Sequence, residues 1–302
     1  MAGIDVNRTT AGVRLDPETS AEIWSKAEYA SAAMQLATPI PLPGSGVTVD
    51  IITGEPEAEW VAETDEKPVS RPTLGSKLMT PYTLAVIVPF SNQFRRDKRR
   101  LYTELVRKLP QALAKKFDQT VFGDVAAPGA NFDKLSGATA VGIAGNTYKG
   151  LVAADQAIAT GGGTLNGWAI SPQGRGLLLG SVDGFGRPLF IPNPNDTAQV
   201  ASLLGAPVFQ SPGVYLAGSP NQLGFAGDWS SAAWGSVEGV SVSISDQASL
   251  VDGTVEIAEG VTIPNVINLW QRNMFAVRAE VEIGFRVRDI AHFAKLTSAT
   301  QS

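Results

Sequence analysis

The sequence predicts an α+β fold, on the strength of one long helical stretch, one long strand, and many short β segments broken by Gly and Pro. In Arg99–Gly123, apolar residues recur at Leu101, Leu105, Leu109, Leu113 and Phe117, with Val106, Ala112 and Val121 beside them. That spacing draws one stripe along a helix about 35 Å long, enough to serve as the backbone of a domain. Gly123 stands where a glycine stop belongs. Pro110 falls midway, so the helix is expected to bend or split in two there. In Leu269–Val287, Phe275, Val277, Ala279, Val281, Ile283, Phe285 and Val287 alternate with Arg278, Glu280, Glu282 and Arg286, the pattern of a half-exposed strand.

The remaining elements follow in order. Met1–Leu15 is polar and reads as an extended arm. Asp16-Pro17-Glu18 is a capped helix start, and the apolar face Ile23, Trp24, Ala27, Ala30, Ala33 and Met34 carries a short helix to about Leu36. The proline run Thr38–Gly44 ends it. Val47–Ile52 alternates as a strand, and Thr83–Val88 has high β-propensity. Between them, Glu55–Pro81 has prolines, glycines and no helical period, and reads as a protruding hairpin or loop. Loops that long are commonly functional. Asn131–Gly150 reads as irregular. Tyr148–Thr160 is a helix stopped by Gly161, Asn166–Ile170 a strand, and Arg175–Leu179 a short helix. Asp183–Phe190 is a turn into a strand, Leu204–Phe209 a further strand, Leu216–Asp228 turn-rich β structure, and Val237–Ser243 alternating. Ala291–Leu296 is expected to tail off the domain.

Composition excludes several chemistries. Among 302 residues there is no Cys and one His, His292, with a net charge of −5. Disulfide scaffolds, thiolate metal sites and His-rich metal centres are therefore out. The polar N-terminus carries no signal peptide, and the longest apolar run, Tyr82–Phe90, is too short to span a bilayer. Gly161-Gly162-Gly163-Thr164 lacks the lysine of a phosphate loop and follows a helix instead of opening one. No Gly-x-Ser-x-Gly elbow occurs. His292 reads as a surface or half-buried structural histidine. The acidic run Glu55–Glu66 lacks calcium-loop spacing. No catalytic, metal or cofactor site is expected.

Two charged stretches remain. Glu57, Glu59, Glu63 and Glu66 surround Trp60 in the protruding segment, and Arg95, Arg96, Lys98, Arg99 and Arg100 crowd the mouth of the long helix. Arg107, Lys108, Lys115 and Lys116 continue the basic series. A solvated helix face accounts for the basic residues, as does contact with phosphates or with an acidic partner. A protruding acidic loop can reach the basic residues of a neighbouring copy, a head-to-tail contact that builds rings and closed assemblies.

Several motifs in fixed order are similar to those of tailed-bacteriophage major capsid proteins of the Hong Kong 97 type. They are Ala58-Glu59-Trp60-Val61-Ala62-Glu63, Lys67-Pro68-Val69-Ser70, the strand Leu84–Phe90 and the long helix. Then come Asp183–Phe190, Leu204-Gly205-Ala206-Pro207-Val208, Gly227–Ala232 and the closing strand with Asp289–Leu296, where Ile290 stands in place of the family's proline. The resemblance spans residues 16 to 296. It implies an N-terminal arm with a short helix at 1–46 and an extended loop, the E-loop, at 47–83. A peripheral domain would occupy 84–149 with its spine helix at about 99–123, an axial domain 150–235, and the return to the peripheral domain 236–302, whose long strand pairs with the E-loop base.

It also implies a function: self-assembly into pentamers and hexamers of an icosahedral shell around double-stranded DNA, in the virion, assembled in the host cytoplasm. The implied partners are other copies, a separate scaffolding protein (the family-like sequence begins near Met1), a portal and a decoration protein. Some relatives join an E-loop lysine to a neighbour's asparagine. Lys67 and Lys77 are the lysines available here, and no asparagine or acidic helper matches. An encapsulin-like compartment shell would use the same fold. A soluble enzyme lacks any nucleophile motif, and a nucleic-acid-binding module is opposed by the acidic net charge. Glu57, Glu59, Trp60, Glu63 and Glu66 are expected to meet Arg95, Arg96 and Arg99 of an adjacent subunit.

Overall fold

The computed structural model describes residues 31–54, 58–63, 66–71, 73–97, 99–182, 187, 202–258 and 261–300. The expected helix start at Asp16 and nearly all of the Asp183–Phe190 turn lie outside them. From the N-terminal side come α1 (Ala32–Leu36), β1 (Thr38–Pro39), β2 (Val47–Gly54), β3 (Thr73–Met79), β4 (Tyr82–Ser91), α2 (Asn92–Asp97) and α3 (Arg99–Val121). Next are β5 (Thr139–Ala144), α4 (Thr147–Thr160), β6 (Gly167–Ile170), α5 (Pro172–Leu179), β7 (Ser202–Leu203), β8 (Ala206–Gln210) and β9 (Gln222–Gly227). The chain closes with β10 (Ala232–Ser236), β11 (Ser241–Ser245), β12 (Ser249–Ala258), β13 (Val261–Asn268), β14 (Met274–Val287) and β15 (Phe293–Thr300).

These elements form two compact units. One holds Thr83–Phe117 and Glu238–Glu282; the other holds Ala32–Tyr82, Asp118–Val237 and Ile283–Ser302. The units interleave along the chain.

In the first unit, α3 buries Val106, Leu109 and Leu113 against Phe90, Val240, Phe275, Val277, Ala279 and Val281. The Phe90 and Phe275 rings stack with centroids 5.8 Å apart. Arg107, Lys108, Lys115 and Lys116 are exposed, so charge and apolar stripe divide the helix as the period requires. Of the bend or split expected at Pro110, the split does not occur: the proline lies buried inside one continuous helix. Ala112 faces outward instead of joining the stripe. β14 pairs with β4 and with β11, where Ser241 meets Glu280 and Ser245 meets Ala276. Its side chains alternate as read: Val277, Ala279 and Val281 point inward, while Arg278 and Glu282 are exposed. β12 and β13, unrecognised in the sequence, pair with each other and with no other strand among the described residues, and Leu250 and Ile267 pack on Leu269, Met274 and Ala276.

The second unit is built on a six-stranded mixed sheet in the order β5-β15-β9-β6-β8-β7. Three sequence expectations fail here. The irregular 131–150 stretch contains β5, and Ala291–Leu296 does not tail off. It opens β15, which lies between β5 (parallel) and β9 (antiparallel). Phe293, Ala294 and Leu296 are buried in a sheet covered by α4 through Leu151, Ala154 and Ile158, which removes the alternation that marks a half-exposed strand. Leu204–Phe209 is a tight hairpin, not one strand. Leu203 pairs with Ala206 around Leu204 and Gly205, whose φ values of 48° and 82° are those of a primed turn.

Candidate assembly interface

β2 and β3 form a two-stranded hairpin, with Val47 opposite Met79 at the root and Ile52 opposite Leu74 further out. Burial divides the hairpin by face. Met79 and Ile51 are buried on one face, whereas Leu78 and Leu74 are exposed on the other. The connecting described residues carry no regular structure and are all exposed. Trp60 is 105% exposed, and Glu59, Glu63 and Glu66 are exposed with it. An indole fully in water leaves a large apolar area without a partner inside its own chain.

A polar node fixes the root. Arg286, on the polar side of β14, donates through Nε to Leu78 O at 2.8 Å, through Nη2 to Asn131 Oδ1 at 3.0 Å and through Nη1 to Asp133 Oδ1 at 2.8 Å. The other carboxylate oxygen of Asp133 accepts from Val287 N at 3.0 Å, and Lys77 Nζ donates to Val287 O at 2.7 Å. Asn131 Nδ2 reaches Thr80 Oγ1 at 3.1 Å. The planar fork of a guanidinium reaches acceptors spread around its edge, whereas the three N–H groups of an ammonium all radiate from one nitrogen. Side chains also fit the root tightly. A Cβ on Gly284 would lie 2.8 Å from Met79 Cγ and 3.0 Å from Thr80 O. The hairpin base thus meets the end of β14 by side-chain hydrogen bonds and close packing, while among the described residues β3 pairs with β2 alone.

The expected contact residues divide between the units. Glu59, Trp60, Glu63 and Glu66 lie on the projecting loop, and Glu57 lies outside the described residues. The backbones of Arg95 and Arg96 are in α2 and Arg99 opens α3, with their side chains outside the described set. Of the two candidate lysines, Lys67 is exposed and Lys77 is engaged at the root.

Two further buried polar residues escaped the sequence reading. Asp118, in the last turn of α3, is fully buried; its carboxylate accepts from Ala32 N at 3.1 Å, Ala33 N at 3.3 Å and Ser211 Oγ at 2.6 Å. It supplies, from elsewhere in the chain, the anionic cap that the first turn of α1 lacks. The residue's place on the apolar stripe was the available signal, because a carboxylate there is costly unless it is hydrogen-bonded. His292 is buried, contrary to the surface or half-buried position expected, with Nδ1 2.6 Å from Ser231 Oγ. Among the described residues no group of acidic or imidazole side chains could hold a metal ion, and no helix is long and apolar enough to cross a membrane.

The sequence pattern of the family described as "Phage capsid family" matches residues 11–298. The chain belongs to the phage capsid family. Within that family it is 30% identical, over 297 residues, to "Probable major capsid protein gp17" of Mycobacterium phage D29, an alignment covering 94% of this chain and 90% of that protein. The protein of the same name from Mycobacterium phage L5 is 29% identical over 299 residues. Among solved structures, a chain from Mycobacterium phage Bobi superposes with a TM-score of 0.71 at 20% identity, covering 98% of this chain and 96% of that one. One from Gordonia phage Cozz gives 0.70 at 21% identity, covering 90% and 87%. The fold is that of the phage capsids, in agreement with the resemblance read from the motifs.

Proposed function

We propose that this chain is the major capsid subunit of a tailed phage, that it acts by tiling with copies of itself, and that it has no catalytic role. The near full-length match to a probable major capsid protein carries this reading. Pentamers and hexamers would close an icosahedral shell around double-stranded DNA in the virion, after assembly in the host cytoplasm with a scaffolding protein and portal, and a decoration protein where one is used.

In this reading the hairpin 47–83 is the E-loop and α3 is the spine of the peripheral domain, with β14 returning to it. The axial domain takes the six-stranded sheet, β5 and β15 included. The exposed Glu59, Trp60, Glu63 and Glu66, with Glu57, lie over an adjacent subunit and face its Arg95, Arg96 and Arg99. Each such contact is modest, and the stability of the shell comes from every subunit engaging several neighbours.

Negative-stain images of the purified protein, together with the nucleic-acid content of particles made in a phage infection, test the assignment. Closed shells that contain DNA are expected. A well-folded lone monomer would defeat the reading, and shells that enclose protein cargo and no DNA would replace it with a compartment shell.

A further inference from the structure

Among the described residues, the β12–β13 ribbon is a two-stranded sheet that pairs with no other strand. Near its base, Leu250 and Ile267 face each other in register and turn into the cluster around Leu269 and Met274. The next pair along, Val251 and Val266, must point to the opposite face. They are 67% and 55% exposed. Further out, the consecutive residues Thr262, Ile263 and Pro264 are all exposed, so both faces of the distal ribbon meet solvent. A two-stranded ribbon with neither face packed is only marginally stable. Paired valines on an open face are apolar area that a lone subunit leaves in water.

The charge along the ribbon has one sign. From Gly239 to Gln271 the sequence carries Asp246, Asp252, Glu256 and Glu259 and no Lys or Arg. The outer face of α3 carries the other sign. Lys108 and Lys115 are exposed, each beside a second exposed basic residue, and the exposed Ala112 lies between them on the same helical face. At the helical rise the two basic positions are about 10 Å apart. A ribbon whose strands are about 5 Å apart fits across that gap, with Ala112 as an apolar floor and a lysine on either side.

We propose that in the assembled particle the β12–β13 ribbon of one copy crosses the outer face of α3 of a neighbouring copy. Val251 and Val266 lie over Ala112, and the ribbon carboxylates answer Lys108 and Lys115. This rests on the self-assembly reading above and adds a second contact, separate from the one made by the E-loop.

The chain has no cysteine, so an engineered pair reports on itself. Particles carrying Val266→Cys with Ala112→Cys, mildly oxidised, are expected to give a ladder of disulfide-linked multimers on a non-reducing gel, with neither single variant doing so. As an independent arm, Lys108→Glu with Lys115→Glu, or Asp252→Lys with Glu256→Lys, should lower particle yield about tenfold through like-charge contact, and combining the two sets should restore it. Normal particles without the ladder, with charge effects that simply add, overturn this contact while leaving self-assembly intact. Cross-linking by Val266→Cys alone overturns it too, because ribbon would then meet ribbon. Unaltered yield in the lysine variants with less packaged DNA would assign the helix face to nucleic acid instead. Wild-type protein that never leaves the monomer would overturn the assembly reading and this contact together.

Discussion

Asp133 and Arg286 meet at 2.8 Å, and through that contact the base of the projecting hairpin is tied to the last residues of β14. The Arg286 side chain is 11% exposed and that of Asp133 26%, so the pair is largely shielded from water. Each group also has other partners: Arg286 serves Leu78 O and Asn131 Oδ1, and Asp133 accepts from Val287 N. Removing one member leaves several polar groups unmatched. Asp133→Ala is expected to cost the unassembled subunit about 1–3 kcal/mol in urea denaturation. Arg286→Lys should recover little of the loss from Arg286→Ala, because a point charge cannot replace the fork. Full recovery by lysine would mean that net charge, not geometry, holds the root.

Gly284 tests the same junction through packing. A Cβ there would meet Met79 Cγ and Thr80 O at 2.8 and 3.0 Å, and the second of these is backbone that cannot swing away. Gly284→Ala should destabilise by about 1–3 kcal/mol, as overpacking does. It should also raise protease cleavage within the hairpin, since its base is pushed off β14. A neutral Gly284→Ala would show that the root has room that the contact distances deny.

Asp118 holds α1 from the opposite direction. Its carboxylate receives two backbone N–H groups and the Ser211 hydroxyl in a fully buried setting. Asp118→Ala should therefore cost about 1–3 kcal/mol, and Asp118→Asn less, because one carbonyl oxygen remains to accept. Hydrogen exchange at the Ala32 and Ala33 amides provides the local readout. Faster exchange there in Asp118→Ala, with the six-stranded sheet unchanged, is the expected result, and unchanged exchange would contradict the capping role.

These residues also mark how far the sequence could be read. α3 and β14 were legible because each has one face in the core and one in water, and Val106-Leu109-Leu113 and Val277-Ala279-Val281 print that division as period. β15 was not, because Phe293, Ala294 and Leu296 lie in a covered sheet where side chains on both faces are apolar. The β12–β13 ribbon was missed for another reason: Val255-Glu256-Ile257 and Val261-Thr262-Ile263 alternate, but Gly253, Gly260 and Pro264 cut the pattern into runs too short to read as strands. Hydrogen-bond partners were beyond reach, since Asp118 and Ser211 stand 93 residues apart and Asp133 and Arg286 153 apart. The charged loop was readable as a surface, but whether it meets another copy is a property of the assembly and not of one chain's sequence.

That surface gives the last prediction. Trp60, Glu59 and Glu63 are exposed and touch no core, so substitutions there should change the stability of the unassembled subunit by less than about 0.5 kcal/mol. Assembly should respond differently. Glu63→Arg and Arg96→Glu, each alone, are expected to weaken shells by roughly 0.2–1 kcal/mol per contact, which repetition over every subunit turns into a clear loss of closed particles. Together they should restore the yield, because the pair is only exchanged in sign. Trp60→Ala should cost more than either, since a buried aromatic anchor contributes more than a rim charge. Particle yield by sedimentation, read beside urea denaturation of the unassembled subunits, separates the two effects. A double reversal that restores nothing removes the Glu63–Arg96 pairing, and a Trp60→Ala shell as robust as wild type removes the indole from the interface.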